Sequence, residues 1–282
     1  MRKKKRMLVM LLSALLLLSG CSSKNNSEGN SEKHMVNKMA TEEQIQILKD
    51  SGLKTREIEE IEEKGMSLAV QSYVEVSQKM LSYLEEKYDT SFKIWGGSIP
   101  GLLSHSYSMT AYATEGIWEY EKFDINYQTD ENGNGYFEDG YFALIRSLEV
   151  QEAMQDVADK AGIDARVIVL LDGKVGDGCT KDTTLDEALD MGEYIRIYAF
   201  VLTSPKLSDS EFNNAAEKLM KEYEQMGSRM YIDYTMYRLI DDSQLEEAHT
   251  YKDIDIVLPD IAVDPEQKFD LRYYKYIKPK SK

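Results

Sequence analysis

The sequence predicts an α+β fold, with helices first, then mainly antiparallel strands with helices packed on them. Three observations predict it. Apolar residues recur at helical spacing as far as Tyr88, and from Phe92 the period shortens to that of strands. Two nearly unbroken apolar runs, Arg166–Leu171 and Tyr194–Leu202, read as buried strands set between helical patterns. Three further strand patterns follow one another near the C-terminal end, Met230–Leu239, Tyr251–Leu258 and Phe269–Ile277. Strands joined by helices allow parallel pairing, whereas strands in immediate succession favour antiparallel pairing.

The elements follow in order. Thr41-Glu42-Glu43-Gln44 has the pattern of a capping box, and Gly52 ends the helix it opens. Thr55 is the expected cap of a second short helix that carries Ile58 and Ile61 and stops at Gly65. A third helix runs from Ser67 to about Tyr88, with Val70, Tyr73, Val74, Leu81 and Leu84 on its apolar face and Ser77 interrupting it. Strands follow at Phe92–Trp95, Tyr107–Ala113 and Trp118–Gln128, with Phe123, Ile125 and Tyr127 sharing a face and Pro100-Gly101 marking a turn. Tyr141–Ala161 is a helix with Leu144, Leu148, Ala153, Met154 and Val157 inward. Leu185–Met191 is a short helix, and Ser208 caps another that reaches about Met226. The two long helices that end near Tyr88 and Tyr223 are each followed by strands. The domain at 40–278 is therefore open to division into two α+β modules, 40–163 and 164–278.

Ahead of that domain stands an export signal. Arg2, Lys3, Lys4, Lys5 and Arg6 precede an apolar run, Met7–Leu18, in which only Ser13 is polar. The run is shorter than the roughly 20 residues that a membrane-crossing helix needs. It exits through Leu18-Ser19-Gly20-Cys21, a tetrapeptide that resembles the lipobox of bacterial lipoproteins. The resemblance covers residues 1–21. It implies that residues 1–20 are removed and that Cys21 carries diacylglycerol, with palmitate among its acyl chains. The membrane, reached through that lipid, is then the first partner, on its extracytoplasmic face. Two or more chains hold a protein where one does not. Residues 21–39 begin as a polar stretch, Ser22–Lys33, with no apolar side chain, which is expected to be a disordered tether.

Composition narrows the function. Loss of residues 1–20 removes five basic groups and no acidic one, and shifts the formal charge from −16 to −21. Such a chain is unsuited to neutralising nucleic-acid phosphates. With Cys21 acylated, Cys179 is the one remaining thiol, so no internal disulfide and no multi-cysteine zinc site can form. Export with so few cysteines points to a Gram-positive cell. In general organisation the chain resembles uncharacterised surface lipoproteins of Firmicutes, a resemblance that implies no activity.

Several motifs invite chemistry. Asp130-Glu131-Asn132-Gly133-Asn134-Gly135 matches the first six places of an EF-hand-type calcium loop, with oxygen donors at Asp130, Asn132 and Asn134. The twelfth place is Tyr141 rather than Glu, and Glu138 and Asp139 could substitute only with a different loop geometry. The competing reading is a hairpin turn that selects Gly and Asn for positive φ. Gly96-Gly97-Ser98-Ile99-Pro100-Gly101 falls one glycine short of a nucleophile elbow. Ser51-Gly52-Leu53-Lys54 has serine–lysine spacing at a helix turn, and Cys179 follows Asp177 with no His beside it. His34, His105 and His249 show no metal spacing. Paired carboxylates cannot be singled out among 50 acidic residues. Tyr occurs 19 times, clustered with charge at Arg272-Tyr273-Tyr274-Lys275-Tyr276, and Tyr on an exposed strand face can hold peptide or glycan. The expected function is non-catalytic binding of a surface protein or wall component. A wall-acting hydrolase and a transporter's solute-binding protein stand as alternatives.

Overall fold

Local capping chemistry sets the first helices. The Thr41 hydroxyl accepts the Gln44 N–H and the Gln44 side chain accepts the Thr41 N–H at 3.0 Å, which opens α1 (Glu42–Asp50) as expected. In α2 (Thr55–Lys64) the cap is Lys54, not Thr55. Lys54 is extended and its N–H is satisfied by the Glu57 carboxylate at 2.9 Å, so the helix includes Thr55 as its first residue. Ser67 caps α3 (Leu68–Tyr88). Ser77 is fully buried within it, its hydroxyl donating back to the Tyr73 carbonyl at 2.8 Å. The computed structural model describes residues 38–99, 106–130, 132–226, 229–254 and 269–279. Residues 1–20, Cys21, most of the tether and the Pro100-Gly101 turn lie outside them.

The first sheet is an antiparallel meander in the order β1 (Phe92–Gly97), β2 (Ser106–Ala113), β3 (Lys122–Thr129), β4 (Gly135–Asp139). Phe92, Ile94, Met109, Ala111, Phe123 and Ile125 form its buried face, against α3. Trp118–Glu121, expected in a strand, is a turn. Gly116 and Tyr120 both take positive φ there, and the Tyr120 N–H returns to the Ala113 carbonyl at 3.0 Å. β4 was not foreseen, because its Gly135-Tyr136-Phe137 start follows a glycine-rich turn.

α4 (Tyr141–Lys160) joins the two sheets. Leu144 and Met154 are buried as expected and Leu148 and Val157 partly so, but Ala153 is exposed and Ser147 is buried instead. The inward stripe is shifted because this helix serves a sheet edge as well as a core. Ser147, Gln151 and Gln155, spaced one turn apart, accept the N–H groups of Leu171, Val169 and Val167 at 2.9, 3.1 and 2.8 Å. Those residues belong to β5 (Ala165–Asp172), an edge strand. Helix side chains thus take the hydrogen bonds that an open edge would offer to another chain.

The second sheet has the order β5, β6 (Arg196–Thr203), β7 (Tyr231–Leu239), β8 (Phe269–Ile277). β5 and β6 are antiparallel although the short helix α5 (Leu185–Asp190) lies between them. β6 and β7 are parallel, joined through α6 (Asp209–Met226), and β8 returns antiparallel to β7. Tyr251–Asp253, expected to start a strand, is a 3-10 turn, because the Asp253 carboxylate gathers the His249 and Thr250 N–H groups at 2.9 and 2.8 Å. The rest of that expected strand, 255–258, lies outside the described residues.

The fold is α+β. One hydrophobic cluster runs from α1 and α3 through the first sheet and α4 to Val167, Ala199 and Tyr234 on the inner face of the second. A smaller cluster lies on the opposite face of the second sheet, where Ile168, Leu202, Tyr237 and Leu239 meet Ala248 and Ile254. That patch is roofed by α7 (Ser243–Glu247) and the 3-10 turn. No described helix is long and apolar enough to cross a membrane.

Candidate functional site: a tyrosine-bearing sheet face and its cleft

Strand alternation sends Ile197, Ala199, Ile232, Tyr234 and Tyr273 toward the helices. It sends Arg196, Tyr198, Tyr231, Asp233, Arg272, Tyr274 and Tyr276 to the other side. The registers set these in rows. Arg196 is opposite Tyr231, Tyr198 opposite Asp233, and Asp233 in turn opposite Tyr276. Tyr231 and Tyr276 stack at 5.7 Å with 18° between planes, and Tyr194 lies 5.4 Å from Tyr231. The Arg196 guanidinium donates to the hydroxyls of Tyr198 and Tyr194 at 3.2 and 3.3 Å, and the Tyr274 hydroxyl donates to Asp233 at 2.8 Å. Arg272 lies against the Tyr237 and Tyr274 rings, 5.7 and 5.8 Å from their centroids. Tyr194 and Tyr274 are each 53% exposed. The tyrosine-rich C-terminal motif therefore divides: Tyr274 and Tyr276 face outward, while Tyr273 packs on the core.

At its β5–β6 side this face opens into a cleft of about 440 Å³ shared with the first sheet. Leu170, Tyr198 and Tyr251 form one side, and Thr110, Lys122 and Asp124 the other, with Phe123 and Leu144 in the floor. Lys174 bridges to Asp124 at 3.3 Å, and the Lys122 ammonium lies 3.4 Å from the ring centroid of Trp95, itself 53% exposed. The cleft thus combines apolar floor, aromatic rims and charges of both signs, the composition of a binding site. A second cleft of about 360 Å³ lies over Val150, Met154, Leu185, Ile197 and Tyr223. Its acidic rim is already engaged, Glu149 by Arg146 and Asp186 by Arg229.

The structure also holds a charged cluster that the sequence reading passed over. Lys87 near the end of α3 and Asp139 at the end of β4 are 4% and 0% exposed and meet at 2.8 Å. The Lys87 ammonium also donates to the Tyr83 hydroxyl at 2.6 Å and the Gly176 carbonyl at 2.8 Å. Asp139 accepts in addition from Tyr88 at 2.7 Å, Tyr83 at 3.1 Å and the Tyr141 N–H at 3.0 Å. All three ammonium protons and both carboxylate oxygens are used, so the cluster ties α3, β4, α4 and the 173–179 loop together. Burial, then the Asp139 charge, pushes both tyrosine hydroxyls well above their ordinary range. The signal available in the sequence was a lysine spaced i, i+4 from Tyr83 and beside Tyr88 on a core-facing stripe.

Asp130, Asn132 and Asn134 come together in the β3–β4 hairpin. Asp130 Oδ1 accepts the N–H groups of Asn132 and Asn134 at 2.9 and 2.8 Å, and Oδ2 accepts the Asn134 side-chain amide at 2.9 Å. Gly133 supplies the positive φ, 82°. Glu138 stands in β4 opposite Asn126. Among the described residues no three Asp, Glu, His or Cys side chains converge as a metal site.

The remaining motifs are placed as follows. Ser51 is buried at the end of α1, its hydroxyl donating to the Ile47 carbonyl and accepting from Tyr73 at 2.7 Å each. Gly96 and Gly97 end β1, and Pro100-Gly101 lies outside the described residues, as do His34 and His105. The His249 carbonyl accepts from Gln151 at 2.8 Å. Cys179 is buried, and its thiol is pushed up by burial and by Glu193, with Lys87 acting in the opposite sense.

No family model and no curated protein matches this chain. A DUF5037 family protein from Ruminococcus gnavus is similar in structure over 61% of this chain and 77% of its own, with 16% identical residues and a TM-score of 0.36.

Proposed function

We propose that this protein is a lipid-anchored, extracytoplasmic lipoprotein that binds a surface protein or wall component through the outer face of its second sheet and the adjoining cleft. One observation carries the binding reading. Tyr194, Tyr198, Tyr231, Tyr274 and Tyr276 are gathered with Arg196 and Arg272 on a sheet side that the long helices leave uncovered. Tyr and Arg, with Trp, are the side chains enriched among the few residues that dominate binding at protein interfaces. The anchor reading is supported by the basic run, the apolar run and Leu18-Ser19-Gly20-Cys21 in that order.

The test has two arms. Cells expressing the full chain are fed labelled palmitate. Label in the wild type and none in Cys21→Ala supports the anchor, and equal label in both refutes it. Binding to isolated cell envelopes is then compared between Cys21→Ala, which carries no lipid, and Cys21→Ala/Tyr194→Ser/Tyr274→Ser. Unchanged binding removes the assignment of this face.

A further inference from the structure

We infer that the partner of this face is a polypeptide presenting acidic side chains. The inference rests on the binding reading and narrows it. It starts from a charge asymmetry. The chain has net charge −16, yet residues 269–282 contain Arg272, Lys275, Lys278, Lys280 and Lys282 against a single acid, Asp270. Asp270 is already taken by Arg238, whose guanidinium donates to it from Nε at 2.8 Å and from Nη2 at 2.5 Å. Among the described residues no carboxylate pairs with Arg272, Lys275 or Lys278, and all three are exposed. They stand on or just beyond β8, an outermost strand of the second sheet. Alternation along β8 puts Arg272 on the tyrosine face with Tyr274 and Tyr276, and Lys278 just beyond the strand has the same parity, whereas Lys275 falls on the side of Tyr273 and Ile277.

Ring geometry selects polypeptide over sugar. A pyranose stacks on an aromatic ring whose flat face is free. Here Tyr231 and Tyr276 turn their faces to each other, 18° from parallel, and Arg272 lies over Tyr237 and Tyr274. Ring edges are what remain for a partner. The Arg272 guanidinium, held on two rings, suits a planar carboxylate that accepts two parallel hydrogen bonds, whereas Arg196 is already paired with Asp233. A lipid surface is the weaker fit, since the outward groups are tyrosines with engaged hydroxyls rather than protruding aliphatic side chains.

The full chain in detergent is titrated with poly-L-glutamate and with uncharged cell-wall glycan fragments. A chain of this net charge repels polyglutamate elsewhere, so binding reports the local face. The expected result is saturable polyglutamate binding that weakens at least tenfold in Arg272→Glu/Lys278→Glu and falls as salt rises. Binding of glycan alone overturns the acidic-polypeptide assignment and keeps the face as a binding surface. Polyglutamate binding that is indifferent to both substitutions overturns the placement. Loss of envelope binding in Cys21→Ala/Tyr194→Ser/Tyr274→Ser together with no polyglutamate binding refutes this inference and leaves the broader reading standing. Circular dichroism of each variant, unchanged from wild type, separates these outcomes from unfolding.

Discussion

The two sheets have the same number of strands, but buried polar groups secure them in opposite ways. The first sheet is a local meander whose end is fastened to α3 by a fully enclosed ion pair, Lys87–Asp139. The second is a mixed sheet whose edge strand is fastened to α4 by neutral groups, the Ser147 hydroxyl and the Gln151 and Gln155 amides. Charge taken out of water is costly and is tolerated only when every donor and acceptor is met. Neutral amides carry less risk but also less strength per bond. The comparison teaches that this chain concentrates its electrostatic dependence at one junction, where four segments meet, and spreads the rest along a helix.

The largest effect should come from breaking the junction. Asp139→Ala leaves the Lys87 ammonium enclosed with no counter-charge and is expected to cost about 3–5 kcal/mol. Urea unfolding of the full chain measures it. Replacing both partners, Lys87→Met with Asp139→Asn, should recover part of that loss. A double variant as unstable as Asp139→Ala would show that the pair's own attraction, and not the stranded charge, dominates.

The same junction holds the loop that carries Cys179, through the Lys87 bond to the Gly176 carbonyl and the pairing of Asp139 with Val175. In the wild type the buried thiol, with its raised pKa, should resist iodoacetamide near neutral pH. In Asp139→Ala its alkylation should accelerate several-fold at urea concentrations too low for global unfolding. Alkylation that follows only global unfolding would mean that the loop is held by other contacts.

Smaller losses are expected on the neutral side. Gln151→Leu and Gln155→Leu each strand a β5 N–H and should cost about 1–3 kcal/mol. Because the exposed edge then resembles an unpaired strand, self-association should rise as well. Light scattering at increasing concentration checks this, and a rise in Asp139→Ala as large as in the glutamine variants would erase the distinction between the two sheets.

How much of this was legible depends on the range of the interaction. Thr41 with Gln44, Ser67, and Ser208 with Glu211 are caps written within four residues, and each occurs where its pattern lies. Phe269–Ile277 and Ala165–Asp172 were readable because their period or apolarity is local. The parallel β6–β7 pair, the Ser147/Gln151/Gln155 ladder and the Lys87–Asp139 pair join residues far apart in sequence. No periodicity encodes such partners. Ala153 was misplaced for the same reason, since the inward stripe of α4 is set by β5 as much as by apolar spacing. At the candidate face, the clustering of Tyr with charge was visible, but the division of Tyr273 from Tyr274 and Tyr276 required the register.

The smallest effect concerns the hairpin of the first sheet, where charge is exposed rather than enclosed. Asp130 holds the turn with the backbone and side-chain donors of Asn132 and Asn134, and those bonds set its carboxyl below the ordinary range. A depressed folded value means that the contribution is full above the ordinary Asp range and disappears as pH falls through the lower value of the folded state. The Asn134 amide resonance followed by NMR between neutral and acid pH should report that loss, and Asp130→Ala should abolish the transition. Calcium would have to displace three hydrogen bonds at this carboxylate, so calorimetric titration to millimolar calcium is expected to show no heat that depends on Asp130. Heat that vanishes in Asp130→Ala would instead make the turn a ligand site. The exposed end of the first sheet would then depend on charge as strongly as its buried end does.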